Sequence, residues 1–121
     1  MINYKRSEST EQIAVIQWCN YNSYMHPELQ LMFHIPNGGK RSKTEAIRLK
    51  QEGVKAGVPD LCLPVARRGY HGLFIEMKYG KNKTTENQRQ WLKELSNQGY
   101  FCKVCNGAEE AVQTINTYLK D

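Results

Sequence analysis

Residues 57–80 read GVPDLCLPVARRGYHGLFIEMKYG. Two apolar runs, LCLPV and LFIEMK, flank a basic turn that contains glycine, and this pattern predicts an antiparallel β-hairpin. Each run carries charge where a core strand should be apolar: Asp60 precedes the first, and Glu76 and Lys78 lie late in the second. Side chains alternate along a strand, so Glu76 and Lys78 should project side by side on one face.

The hairpin register should bring Asp60 close to Glu76 and Lys78, because Pro59 sets the direction in which the chain enters the first strand. Two carboxylates within a few ångströms repel, so either one is protonated or a cation lies between them. A hard divalent cation such as Mg²⁺ prefers such oxygen ligands, and a lysine beside it can hold a water or offset phosphate charge. The alternative is a Glu–Lys pair on a solvated strand face.

Helices and strands alternate around this hairpin. Helices are predicted at 9–25, 43–52 and about 86–98, and a last helix follows Asn106–Gly107. Strands are predicted at 31–35, 61–65, 73–78 and 100–105. Candidate capping boxes precede three helices: Ser9 with Gln12, Ser42 with Glu45, and Thr85 with Gln88. The order αβαββαβα predicts an α/β fold with a mixed central sheet flanked by helices, in a single domain spanning 1–121.

Two polar residues fall on predicted inward helix stripes. Glu11 lies in line with Val15 and Trp18, although an acid in a first helical turn is also stabilised by the helix dipole. Gln88 lies on the inward stripe of the third helix, where a buried amide needs partners, or it serves only as the capping-box partner of Thr85. Both interpretations stay open for each residue.

The chain has a net charge of +5 and a pI near 9.1. Its basic residues gather in three predicted loops, GGKRSK (38–43), ARRG (66–69) and KYGKNK (78–83), which suit a polyphosphate backbone or are plain solvated loops. No stretch approaches the ~18 apolar residues of a membrane span, and the polar N-terminus has no signal core. We therefore expect an intracellular, cytoplasmic protein without membrane partners.

Cys102 and Cys105 form a CxxC motif, a spacing used in zinc and redox sites. No second CxxC or histidine pair supplies further ligands, and in a strand positions three apart face opposite sides of the sheet. A thiol or zinc protein is therefore kept only as an alternative class.

The spacing of Glu11, Pro59-Asp60, Glu76-Met77-Lys78 and Gln88 resembles the PD-(D/E)xK nuclease core. The blocks HIPNGGKRS, GVKAGVPDLCLPV, GYHGLFIEMKYGKNKTTENQRQWL and GYFCKVCNG resemble, more narrowly, the VRR-NUC (virus-type replication-repair nuclease) domain. This resemblance extends from about Glu8 to Leu119. It implies a restriction-endonuclease-like core in a stand-alone phage or bacterial nuclease, without an added DNA-binding domain, in DNA repair or replication.

The resemblance also implies roles for the charged hairpin. Asp60 and Glu76 resemble the two metal-binding carboxylates for Mg²⁺ or Mn²⁺, the backbone carbonyl of Met77 a further ligand, and Lys78 the catalytic lysine. The implied reaction is metal-assisted hydrolysis of a DNA phosphodiester. Glu11 would complete the acidic site, directly or through water.

Gln88 resembles the glutamine that the family carries on the helix after this strand. The basic loops supply the candidate DNA-binding residues, which are Asn37, Gly38, Gly39, Lys40, Arg41, Lys43, Arg67, Arg68, Lys81 and Lys83. None of them is predicted to recognise base edges, so recognition of DNA shape is expected.

The resemblance points to branched substrates such as Holliday junctions or flaps. A homodimer would present two sites to a symmetric junction, with Tyr21, Tyr24 and Met25 as a candidate interface or, equally, as core. A non-catalytic DNA-binding module of the same fold is the other alternative to a nuclease.

Overall fold

A computed structural model describes residues 5–37 and 41–120. In chain order the elements are α1 (Glu8–Asn22), a 3₁₀ helix (Pro27–Leu31), β1 (Phe33–His34), α2 (Lys43–Gln51), β2 (Leu61–Leu63), β3 (Leu73–Lys78), α3 (Glu86–Asn97), β4 (Phe101–Asn106) and α4 (Gly107–Leu119). The predicted α/β class and element order are confirmed, with the 3₁₀ helix as an addition.

The four strands form one mixed sheet in the order β1-β2-β3-β4. The first three are antiparallel neighbours, and β4 runs parallel to β3 after the crossover through α3. Helices α1 and α4 pack on the face that carries Leu73, Ile75 and Met77, and together they bury Val15 and Ile115 in the core. The predicted hairpin is confirmed, because β2 and β3 pair with Leu61 opposite Ile75.

The first helix begins earlier than predicted and also ends earlier. Its N-cap is Ser7, whose side chain accepts from the N–H of Thr10 at 3.2 Å while the Ser7 N–H donates to Thr10 Oγ1 at 2.8 Å. The predicted box of Ser9 and Gln12 is wrong because two overlapping serine signals lie two residues apart, and only the first has this reciprocal pair. The helix ends at Asn22 rather than at residue 25.

Proline explains two further differences. The predicted strand 31–35 shrinks to Phe33–His34, because Pro27 opens a 3₁₀ helix instead of only ending α1. The strand predicted at 61–65 stops at Leu63, because Pro64 has no N–H for the ladder. The bounds of β3 are as predicted, while α2, α3 and β4 differ from prediction by one residue.

Helix α2 is like α3 in that none of its residues is fully buried. Its N-cap is Ser42, as predicted, and the side chain accepts from the N–H of Glu45 at 3.2 Å. None of its nine residues is buried, and Ile47 is half exposed. Within the described ranges, no helix combines the length and the apolar character needed to cross a membrane.

Candidate active site

The β2–β3 register places Asp60 opposite Glu76, one position beyond the paired residues Leu61 and Ile75. Asp60 Oδ2 accepts a hydrogen bond from the backbone N–H of Met77 at 2.7 Å, which holds the carboxylate against the neighbouring strand. The expectation that the hairpin brings Asp60 and Glu76 together is confirmed.

The backbone of Asp60 is held from the other side by β1. Its carbonyl oxygen accepts from the N–H of Ile35 at 2.8 Å and lies 2.8 Å from Nδ1 of His34. Ahead of it, Gly57 has a φ of +90°, and a Cβ there would lie 2.9 Å from the Cβ of Asn87 on α3. Glycine therefore lets this segment approach α3 closely, and the position of Asp60 is fixed by three elements.

Glu76 is a buried carboxyl with one oxygen unsatisfied. It is 1% exposed, and its Oε1 has no hydrogen-bond partner among the described residues. Burial raises the pKa of Glu76 to about 8, with the charge of Asp60 as the next cause, while Lys78 opposes the shift. Two facing carboxyls therefore share one site in which both cannot be ionised without compensation.

Lys78 lies on the same strand face as Glu76, as the strand period predicts. Its Nζ is 3.5 Å from Glu76 Oε2, and the residue is also buried. Lys78 ends β3, so the ammonium lies where the strand opens toward the following loop. Asp60, Glu76 and Lys78 thus form one compact charged cluster.

The donor set of this cluster suits a divalent metal ion. Mg²⁺ and Mn²⁺ prefer oxygen ligands, and a cation between Asp60 and Glu76 would give Glu76 Oε1 the partner that it lacks. It would also remove the repulsion that raises the Glu76 pKa. Over residues 5–37 and 41–120, no Asp, Glu, His or Cys makes a third member of such a cluster, so the acidic set is a pair.

Glu11 is buried, as the inward-stripe interpretation requires, and its partners are Arg6 and Ala108. Its two oxygens accept from Arg6 Nε at 3.1 Å and Arg6 Nη2 at 2.8 Å, and Oε1 also accepts from the N–H of Ala108 at 3.0 Å. Hydrogen bonding by Arg6, followed by that of Ala108, lowers the pKa of Glu11. The Arg6 guanidinium also stacks 4.8 Å from the ring centre of Tyr79. Arg6 lies outside every sequence motif and therefore carries no signal of this role.

This arrangement makes Glu11 the N-terminal anion of another helix. Asn106 makes no side-chain capping bond to α4, and the Glu11 carboxylate from α1 takes that place. Gly107 has a φ of +87°, and a Cβ there would lie 3.3 Å from Glu11 Oε1. Because Asn106 pairs with Lys78, Glu11 lies at the same end of the sheet as Asp60, Glu76 and Lys78, but on the face covered by α1 and α4.

Gln88 is the capping-box partner of Thr85. Its Oε1 accepts from the Thr85 N–H at 2.9 Å, and its own N–H donates to Thr85 Oγ1 at 3.2 Å. The side chain is only half-buried, so the capping interpretation holds.

The candidate DNA-binding loop after β1 is described only at its ends. Residues 38–40, with the predicted Gly38, Gly39 and Lys40, lie outside the described residues. Asn37 is half-buried, Lys43 is the exposed first residue of α2, and Arg41 pairs with Glu45 at 2.8 Å.

Lys81 and Lys83 are exposed in the loop that follows Lys78, so they lie at the same end of the sheet as the charged cluster. Between them, the Asn82 side chain donates to Glu8 Oε2 at 2.7 Å and ties this loop to α1.

Arg67 and Arg68 lie at the opposite end of the hairpin, ahead of Leu73. Arg67 Nη2 is 3.5 Å from Glu28 Oε2, and Arg68 Nη1 donates to the Thr117 carbonyl at 3.0 Å. The structure therefore separates the ARRG turn from the carboxylate pair by the length of β3.

The cysteine pair faces in two directions, as the strand period predicts. Cys102 pairs with Phe74 on one face of the sheet, and Cys105 pairs with Met77 on the core face. Burial raises the pKa of both thiols. Neither the geometry nor the thiol chemistry supports a shared zinc or redox site.

Known proteins resemble this chain over most of its length. The family model of the VRR-NUC domain matches residues 6–109. A solved structure described as "VRR_NUC domain protein" is 31% identical and superposes with a TM-score of 0.82, covering 97% of this chain and 91% of its own. No curated protein matches.

Proposed function

The chain belongs to the VRR-NUC family, which has a nuclease-type fold, and from this premise we propose that it is a DNA endonuclease dependent on Mg²⁺ or Mn²⁺. The observation that carries the proposal is the buried pair of Asp60 and Glu76, with its unsatisfied oxygen, beside Lys78. A buried carboxyl whose pKa is strongly shifted by desolvation and a specific charge partner is a candidate for a functional site.

Asp60 and Glu76 would hold the metal ion, and the carbonyl of Met77 is a candidate further ligand, because the N–H of the same residue bonds the Asp60 carboxylate. A bound divalent ion polarises a phosphoryl oxygen and lowers the pKa of water. Lys78 would position the attacking water and offset negative charge that builds on the phosphate in the transition state. Its burial would keep the ammonium close to the scissile phosphate rather than in bulk water.

Glu11 and Gln88 have other tasks in this proposal. Glu11 holds α1 on the N-terminus of α4 through Arg6 and Ala108, so we leave it out of the metal-binding pair. Gln88 takes part in the capping box of α3. The segment before Asp60 packs closely against this helix at Gly57. Family resemblance assigns both residues to the catalytic site. For Glu11, the variant Glu11→Gln distinguishes that catalytic role from a structural one.

The proposed DNA path runs over the catalytic end of the sheet. Exposed lysines there would contact phosphates and position the backbone without reading bases. Recognition would rest on DNA shape, and we propose branched DNA such as junctions or flaps as the substrate. The described residues that would contribute are Asn37, Arg41, Lys43, Lys81 and Lys83.

A homodimer would give a branched substrate two related sites. Tyr21, Tyr24 and Met25 support this, because they are 79%, 75% and 60% exposed at the end of α1 and beyond it. Contiguous exposed apolar patches mark interaction surfaces, whereas single exposed apolar residues are ordinary.

The test compares cleavage of labelled four-way junction, flap, single-stranded and duplex DNA with Mg²⁺, Mn²⁺ or EDTA. Wild-type protein should cleave branched DNA only with a metal ion. Lys78→Ala should lower the rate about 10²–10³-fold, because it removes a group that stabilises transition-state charge. Lys93→Ala is the matched control, since this substitution removes the same charge from an exposed position on α3.

Cleavage that persists in EDTA or in Lys78→Ala would overturn the mechanism. Metal-independent binding of branched DNA, without any cleavage by wild-type protein, would instead identify a non-catalytic DNA-binding module.

A further inference from the structure

We propose that a groove at the end of the sheet opposite the charged cluster binds an unpaired nucleotide of a DNA strand. The base would stack on Tyr70, and Arg68 and Lys103 would hold its phosphates. The choice of DNA as the polymer rests on the proposed nuclease function, whereas the site itself lies outside the catalytic residues.

The groove is a cavity of about 750 Å³ between the β2–β3 turn, the start of β4 and the last turns of α4. This volume lies within the ~300–1,000 Å³ range of ligand pockets. Its lining combines aromatic rings with cationic and amide side chains, and the residues that matter here are Arg68, Tyr70, Phe101, Lys103 and Gln113.

The aromatic part of the groove is rigid. Tyr70 lies 5.2 Å from Phe101 between ring centres, and Phe101 lies 6.0 Å from Tyr118. The Tyr118 hydroxyl donates to the Val65 carbonyl at 2.6 Å, which fixes the innermost ring. Tyr70 is the outermost ring and is 42% exposed. A held aromatic ring with an open face is the platform on which proteins stack single-stranded bases.

The backbone at Arg68 is in a conformation that arginine rarely adopts. Arg68 has a φ of +53° and Gly69 a φ of +86°, in a tight turn closed by the mutual hydrogen bonds of Arg67 and Tyr70. Both positive angles fit a type I′ hairpin turn, whose first central position favours Asn, Asp or Gly. Arginine here carries a conformational cost, and such an outlier supports a functional role for the side chain.

Several polar groups in the groove have no partner in the described parts of the chain. The Lys103 ammonium, the Gln113 amide and the Tyr70 hydroxyl make no hydrogen bond or ion pair there. Arg68 donates to the Thr117 carbonyl through one nitrogen, which orients the rest of its guanidinium. The acid of the groove, Glu110, is already engaged by the N–H of Asn106 at 3.0 Å. Aromatic surface, the Lys103 ammonium and the remaining nitrogens of the Arg68 guanidinium therefore line the cavity, which suits a base and its phosphates.

The position of the groove suits a branched substrate. It lies at the start of β3 and β4, about 17 Å along β3 from Lys78, and the open edge strand β4 joins the two sites. DNA held at the charged cluster could therefore pass an unpaired arm over this edge into the groove.

Photocrosslinking and binding, both in EDTA, test the site without any cleavage. A single-stranded oligothymidylate carrying 5-iododeoxyuridine should crosslink to the peptide that contains Tyr70. Binding measured by fluorescence anisotropy should weaken about tenfold in Tyr70→Ala, since stacking of one base is lost, and should be kept in Tyr70→Phe. Arg68→Asn should also weaken binding while the melting temperature stays equal or rises, because asparagine tolerates this backbone.

Lys103→Ala should weaken binding more than Lys93→Ala, which removes the same charge outside the groove. Equal losses in these two variants, unchanged binding by Tyr70→Ala, or crosslinks confined to other peptides would overturn the proposal. Metal-dependent cleavage of a blunt duplex or junction by the same variants reports on the nuclease function separately, so either proposal can fail alone.

Discussion

Two buried glutamates at one end of the sheet have opposite environments. Glu11 is 5% exposed and accepts three hydrogen bonds, from Arg6 and Ala108, that lower its pKa. Glu76 is 1% exposed, has one oxygen without a partner, and has its pKa raised to about 8. Both glutamates are therefore buried, and they differ in whether hydrogen bonds replace the water that each carboxylate has lost.

Hydrogen-bond compensation distinguishes a buried carboxylate that belongs to the fold from one that awaits a ligand. Fully hydrogen-bonded buried groups are ordinary parts of a fold. An uncompensated one costs free energy and persists where a ligand or reaction completes it. Three substitutions test the difference between Glu11 and Glu76.

The largest effect is expected at Glu76. Its pKa lies above the value of 4.5 for an ordinary glutamate, so the folded state keeps a proton that the unfolded state releases between pH 4.5 and about 8. Stability from this group is therefore full below pH 4.5 and is lost as pH rises to 8. Glu76→Gln should be about 2–4 kcal/mol more stable than wild type at pH 8.5 in EDTA, a gap that closes toward pH 4.5.

Thermal unfolding across this pH range measures the gap. In the same experiment Mg²⁺ or Mn²⁺ at pH 8.5 should raise the melting temperature of wild type and not that of Glu76→Gln, because binding to the folded state alone is stabilising. Equal metal-induced shifts in both proteins would contradict a metal site at Glu76.

A smaller effect of opposite sign is expected at Glu11. Glu11→Gln should cost about 1–3 kcal/mol of stability, because a charged acceptor of three hydrogen bonds is lost. DNA cleavage assayed well below the melting temperature should fall less than tenfold, since these bonds commit the carboxylate elsewhere. A loss as deep as that of Lys78→Ala would instead support the catalytic role that family resemblance assigns to Glu11.

The smallest effect concerns the glycine beside Glu11. Gly107→Ala combines a φ of +87° with a Cβ 3.3 Å from Glu11 Oε1, whereas Gly80→Ala has a φ of +70° and no atom within 4 Å. Both substitutions introduce backbone strain, so their difference isolates the crowding of the Glu11 carboxylate. We expect Gly107→Ala to be about 1 kcal/mol the more destabilising by chemical denaturation. Equal losses would show that Glu11 moves aside freely.

The charged hairpin could be predicted from sequence because its information is local. The strand period alone places Glu76 and Lys78 together, and a short hairpin leaves little freedom in where Asp60 can lie. The Thr85–Gln88 box is equally local and is found as predicted.

The environment of Glu11 could not be predicted in this way. Its partners are Arg6, in an irregular segment, and Ala108, which lies 97 residues away and contributes only a backbone N–H. No side-chain pattern signals a backbone donor. The groove around Tyr70 and Lys103 has the same origin, because three separate segments supply its lining. The misplaced start of α1 has another cause, since Ser7 and Ser9 offer competing caps.

Helix α2 buries none of its residues, and this makes its order a matter of helix–coil equilibrium. Nine residues fall below the ~12–15 at which an isolated helix becomes more than marginal in water. Its two i,i+4 ion pairs, Arg41 with Glu45 and Arg48 with Glu52, add roughly 0.2–0.5 kcal/mol each and are screened by salt. Under the proposed function, salt would loosen this helix at the same time as it weakens phosphate contacts. DNA affinity would therefore fall with ionic strength more steeply than counterion release alone requires.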